Sequence, residues 1–174
     1  GHLNTAELLL NRGASVNSEF KNNSGSALIS AIRANSPALV KLLVDRGASV
    51  DFKFPIVDVG YPLQFAVHQK VNSEILTYLL QDKLYKDARI KELALRAALL
   101  ESIKMDNVAA LRLLVEKGVN MNGFSPQGYG LFHQAILSGS KEVIKYWISQ
   151  SFSISLSSHQ PSFLIHRTVA SKNS

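Results

Sequence analysis

The sequence predicts an all-α fold: a solenoid of paired antiparallel helices with hairpin turns, in which one divergent repeat has a helical connection near 84–96. Three observations carry this expectation. The pentapeptide RGASV occurs at 12–16 and again at 46–50, in a chain of 174 residues without low-complexity sequence. Around it, GHLNTAELLLNRGASVN at 1–17 aligns with NSPALVKLLVDRGASVD at 35–51 and DNVAALRLLVEKGVNMN at 106–122. GSKEVIKYWISQSFSIS at 139–155 and the most divergent copy, VNSEILTYLLQDK at 71–83, keep the apolar pattern without the glycine. Self-similarity at a period of 33 to 37 residues marks a solenoid, whose units bury their apolar faces only against their neighbours. The expected organisation is a single array over 1–174, with units at 18–51, 52–83, 84–122 (divergent) and 123–155, and partial units at 1–17 and 156–174.

Each element has a physical reason. The apolar triplets Leu8-Leu9-Leu10, Leu42-Leu43-Val44, Tyr78-Leu79-Leu80, Leu113-Leu114-Val115 and Tyr146-Trp147-Ile148 mark a helix largely enclosed by packing. Gly13, Gly47 and Gly118 each follow a basic residue, as expected where a left-handed cap favours glycine and the helix dipole favours a cation. The alternating tails after them, ending in Asn or Asp, suit a turn. A shorter helix precedes each long one: SALISA at 26–31, YPLQFA at 61–66, AALLES at 97–102, GLFHQA at 130–135 and FLIHRT at 163–168. Between Pro62 and Gly118 there is neither Gly nor Pro, and QDKLYKDARIKELALR is rich in helix formers, hence the expected helical segment at 84–96.

The combined pattern resembles the ankyrin repeat. That family's motif is Gly-x-Thr-Pro-Leu-His-x-Ala, a short helix, then Gly-His and a helix ending in Gly-Ala-Asp-Val-Asn. GYGLFHQA at 128–135 is the closest counterpart of the first half, and residues 1–17 of the second. No copy has the whole Thr-Pro-Leu-His: Pro62-Leu63 supplies the central pair once, and the His position is filled only by His133 and His166. The resemblance covers nearly the whole chain. It implies a non-catalytic scaffold that binds a partner protein through its concave face and hairpin tips.

Carried over position by position, it implies contacts at the turns (Lys21, Asn22, Asn23 and Gly25; Val57, Asp58 and Gly60; Pro126, Gln127 and Tyr129). After the short helices the matching places are Arg33 and Ala34, His68 and Gln69, Lys104 and Met105, and Leu137 and Ser138. The turn FKFPIVDVG stands out in its own right, because a protruding loop gains nothing by exposing apolar side chains. Phe52, Phe54, Ile56 and Val57 are therefore expected to contact a partner or to pack on neighbouring turns.

Composition narrows the chemistry. At 46% apolar and 18% charged the chain has the composition of a globular protein, and no run reaches the roughly 18 apolar residues of a membrane helix. The absence of cysteine excludes disulfides, thiolate metal sites and a thiol nucleophile. A net charge of +6 permits an anionic partner, but the cations are scattered, so nucleic acid is not the expected one. GFSPQGYG at 123–130 has phosphate-loop glycine spacing, yet Tyr129 and Gly130 stand where the lysine and hydroxyl would be needed. His133 and His166 fill one slot of consecutive units, which reads as a structural position and not a metal pair. Asn22-Asn23-Ser24 matches a glycosylation triplet, which matters only in a secreted protein. Lys83, Lys86, Arg89 and Lys91 alternate with Asp82, Asp87 and Glu92 as on a solvated helix face. No acid/base pair or nucleophile emerges.

These residues are accordingly expected to bear no catalysis, cofactor, metal, small-molecule substrate or membrane span. The chain reads as a cytoplasmic segment of a longer protein, in the host cytoplasm if it resembles the ankyrin proteins that bacterial pathogens deliver. The alternative is a substrate-recognition segment of a multidomain enzyme whose catalytic domain lies elsewhere.

Overall fold

The computed structural model describes residues 2–18, 26–53, 60–119, 121 and 130–149. Nine α-helices lie among them: α1 (His2–Asn11), α2 (Ala27–Arg33), α3 (Pro37–Asp45), α4 (Pro62–His68), α5 (Ser73–Leu79), α6 (Ala88–Lys104), α7 (Val108–Glu116), α8 (Leu131–Leu137) and α9 (Lys141–Ser149). The short helices α2, α4 and α8 and the end of α6 pack on one another as one layer, and α1, α3, α5, α7 and α9 form a second. The hairpin turns expected at 19–25, 54–59 and 122–129, and the short helix expected at 163–168, lie outside the described residues.

The core runs between the layers. Leu28, Ile32, Val40, Leu63, Ile75, Leu79, Leu99, Ile103, Leu111 and Leu114 are shielded from water. Of the apolar triplets, Leu43, Val44, Leu79, Leu80, Leu114 and Trp147 are buried, whereas in α1 Leu8 and Leu9 are more than half exposed, so the expected enclosure fails at that helix, which packs on α3. Trp147 is buried in this core and tilts against Phe132, their ring centroids 6.0 Å apart.

Helix ends repeat one device. Gly47 has φ +91°; its N–H donates to the Val44 carbonyl, and Ala48 N–H donates to that of Leu43. This double bond pattern satisfies carbonyls that a helix terminus leaves orphaned. Gly13 and Gly118 do the same at φ +87° and +76°. The first-layer helices end identically but on Asn35, Lys70, Asp106 and Gly139, all with positive φ. Three of these are not glycine, so glycine spacing alone does not reveal the device.

The duplicated RGASV has a structural cause. The Asn17 side chain donates to the Gly47 carbonyl at 2.9 Å and accepts from Ser49 N–H at 2.9 Å, so the residue closing one copy clamps the backbone of the next. Other side chains stitch units the same way. Asn107 Nδ2 donates to the Val67 carbonyl, Ser140 Oγ to the Ile103 carbonyl, and the Asp106 carboxylate accepts from the backbone of Glu142 and Val143. Tyr78 donates to Asp45 at 2.6 Å; burial, then that bond, pushes its phenol up to about 12.

The divergent unit is where regularity breaks. α5 ends at Leu79, and no residue with positive φ follows it before Asp106. Instead the Tyr85 hydroxyl donates to the Leu79 carbonyl at 3.0 Å, doing by side chain what a glycine turn does by backbone. Burial, reinforced by Asp51, pushes this phenol well above its ordinary range. One 3₁₀ turn, Asp82–Leu84, leads to Asp87, whose carboxylate caps α6 by accepting from Arg89 and Ile90 N–H. The expected helical connection is thus present, beginning at Ala88 after that turn. It fuses with the short helix expected at 97–102 into a single 17-residue helix. Lys91 reaches back 2.9 Å to Asp82 and holds that carboxyl below the usual range.

Candidate interaction surface on the first-helix layer

The last residues of the four first-layer helices are Arg33, His68, Lys104 and Leu137. They occupy one slot in successive units, each followed by an exposed or half-exposed residue: Ala34, Gln69, Met105 or Ser138. Of the expected contact residues, Arg33, His68 and Gln69 are therefore brought onto one rim. Phe52 is half-buried against the core. Lys21, Asn22, Phe54, Ile56, Val57, Gln127 and Tyr129 lie outside the described residues.

Two of the side chains in this slot, Arg33 and His68, rest on the next unit. The Arg33 guanidinium lies over the Phe65 ring, 5.7 Å from its centroid. Phe65 is one helical turn before His68. His68 repeats the relation: its Nδ1 lies 2.8 Å from Glu101 Oε1, and Glu101 is one turn before Lys104. Arg33 and His68 are thus each braced by the residue three positions before the next rim residue. His68 is the final residue of α4, not a solvated loop residue, and its side chain is 40% exposed while that of Glu101 is 5% exposed.

Glu101 is the unusual member. A buried carboxylate must be hydrogen-bonded to be tolerated. Gln64 Nε2 donates to its Oε2 at 3.2 Å, while Gln64 Oε1 accepts from Gly60 N–H at 2.9 Å. For Oε1 the donor is His68 Nδ1, which assigns the imidazole proton to Nδ1 and leaves Nε2 without a partner among the described residues. The network thereby fixes the ring of a residue that remains accessible. Sequence reading found His68 but missed Glu101, Gln64 and Phe65. The available signal was the glutamate in AALLES, standing where other units have Ser30, Phe65 and Gln134.

Chemically the rim offers cations and hydrogen-bonding groups, with no acid/base pair set against a nucleophile. Among the described residues there is no cluster of three metal-ligating side chains, and no helix is long and apolar enough to cross a membrane.

No family model matches the chain, and no curated protein matches it. The solved structures do. The ankyrin repeat domain of human ASB11 superposes with a TM-score of 0.70 at 22% identity, over 87% of this chain. The match spans 66% of that domain, just under two thirds of its length. Two helical layers, left-handed turns at the ends of both helix types and this superposition lead to one conclusion: the chain has the ankyrin-repeat fold.

Proposed function

We propose that this array is a non-catalytic scaffold that binds a partner protein along the rim formed by Arg33, His68, Gln69, Lys104 and Met105. The observation that carries the reading is the repeated bracing of accessible side chains by buried ones, Arg33 on Phe65 and His68 on Glu101. A solvated rim needs no such support. Fixing side chains before binding lowers the entropy lost on association, which favours recognition. The turn residues Lys21, Asn22, Phe54, Ile56, Val57, Gln127 and Tyr129, with Phe52, extend the proposed surface on the strength of the sequence pattern. Within a longer enzyme the same surface would recognise a substrate protein.

Photo-crosslinking in cells tests this. A photoreactive amino acid at Gln69 or Met105 is expected to capture a discrete protein, whereas the same residue at Glu116 or Lys145, on the second-helix layer, is expected to give none. Capture from the second layer alone would overturn the reading.

A further inference from the structure

We infer that the partner segment is acidic and adopts an extended polyproline II conformation with a carboxylate at every third residue. This rests on the scaffold reading and adds the chemistry of the partner.

The first argument is charge. The helical residues 27–33, 62–68, 98–104 and 131–137 contain one carboxylate, Glu101, and it is buried and held by Gln64 and His68. Arg33 and Lys104 occupy the rim slot on either side of His68, Lys70 follows on the adjoining turn and Lys141 begins α9, all four exposed. Of the nearby acids, Asp106 accepts from two backbone N–H groups and Glu142, at the start of α9, holds Lys145 at 2.6 Å, while Glu74, at the start of α5, is exposed. The rim slots therefore present positive charge and the His68 imidazole, while Glu101, the one carboxylate of those helical stretches, is occupied internally. A surface so arranged favours an anionic partner in both encounter and register.

The second argument is spacing. Packed helices lie about 8–10 Å apart, so Arg33, His68 and Lys104 recur at roughly that interval along the layer. A polyproline II helix rises about 3.1 Å per residue with three residues per turn. Its positions i, i+3 and i+6 consequently share one face and recur about every 9 Å, matching one carboxylate to each rim slot. A β-strand fits less well, because residues three apart point to opposite faces. An α-helix rises only about 1.5 Å per residue and would need about six residues per slot, out of phase with its turn. The Arg33 guanidinium, held over Phe65, is exposed and retains N–H groups for a carboxylate.

The experiment is fluorescence anisotropy with a fluorescein-labelled peptide repeating Glu-Pro-Ser about four times. One comparison peptide has the same composition with its glutamates contiguous, and another probe is a single-stranded oligothymidylate of equal charge. The spaced peptide is expected to bind saturably and at least about tenfold more tightly than the contiguous one. R33E/K104E should weaken it by a further factor of about ten or more, while Lys117→Glu, beyond the end of α7 on the second layer, leaves it unchanged and circular dichroism confirms that both variants fold. Equal affinity for the two peptides, tighter binding of the oligonucleotide, no saturable binding, or indifference to R33E/K104E would each overturn the inference. Because crosslinking at Gln69 and Met105 does not depend on the probe's charge, these outcomes leave the scaffold reading to stand or fall separately.

Discussion

Replacing Leu79 by alanine is expected to lower the unfolding free energy by about 3 kcal/mol, the middle of the range for a leucine in a tightly packed core. Leu79 is fully buried on α5, which packs against α3, α4 and α7. It also closes a helix that ends without the left-handed turn seen after α1, α3 and α7, and its carbonyl is held by Tyr85. In a solenoid every unit is stabilised only by its neighbours, so damage here reaches the units on both sides. Urea denaturation followed by circular dichroism gives the value. Two separate transitions would show that the array has been split at this unit, whereas a loss below about 1 kcal/mol would mean that the site collapses around the cavity or is not packed as described.

His68→Leu is expected to destabilise the protein by about 2 kcal/mol, because it removes the donor from Glu101 Oε1 and leaves a buried carboxylate half-satisfied. The value lies below that for a fully buried pair because the imidazole is itself 40% exposed and water can partly replace it. The second substitution is the informative one. Adding Glu101→Leu should recover most of the loss, since the cost comes from the stranded carboxylate and not from the missing ring. If the double variant is less stable than His68→Leu alone, Glu101 contributes through contacts other than this pair. Urea midpoints of the wild type, both single variants and the double variant complete the cycle.

The sequence disclosed most of the fold because an ankyrin unit writes its helices in apolar triplets and its stops in glycine. The triplets at Leu42, Leu113 and Tyr146 fall within helices of the second layer, that at Tyr78 runs one residue past the end of α5, and Gly47 and Gly118 adopt the left-handed conformation that their positions implied. The divergent unit was legible too: helix formers where a hairpin was due became α6. The turn before it was not, because its break depends on a tertiary bond, from Tyr85 to the Leu79 carbonyl, that no local pattern encodes. The left-handed ends at Asn35, Lys70 and Asp106 were likewise hidden, since tertiary and capping bonds hold non-glycine residues there.

The candidate surface was half legible. Family resemblance placed Arg33, His68 and Gln69 on a rim, but the bracing by Phe65 and Glu101 depends on how one unit stacks on the next. Pairs 32 or 33 residues apart come into contact only when the stacking register is known.

The central claim is that the first-helix rim, and not the second-helix layer, is the binding surface. Hydrogen–deuterium exchange on the complex with the crosslinked partner tests it most directly. The account predicts that added protection concentrates at 30–36, 64–72 and 100–107, with α3, α5 and α7 unchanged. Protection confined to α3, α5 and α7 would contradict it.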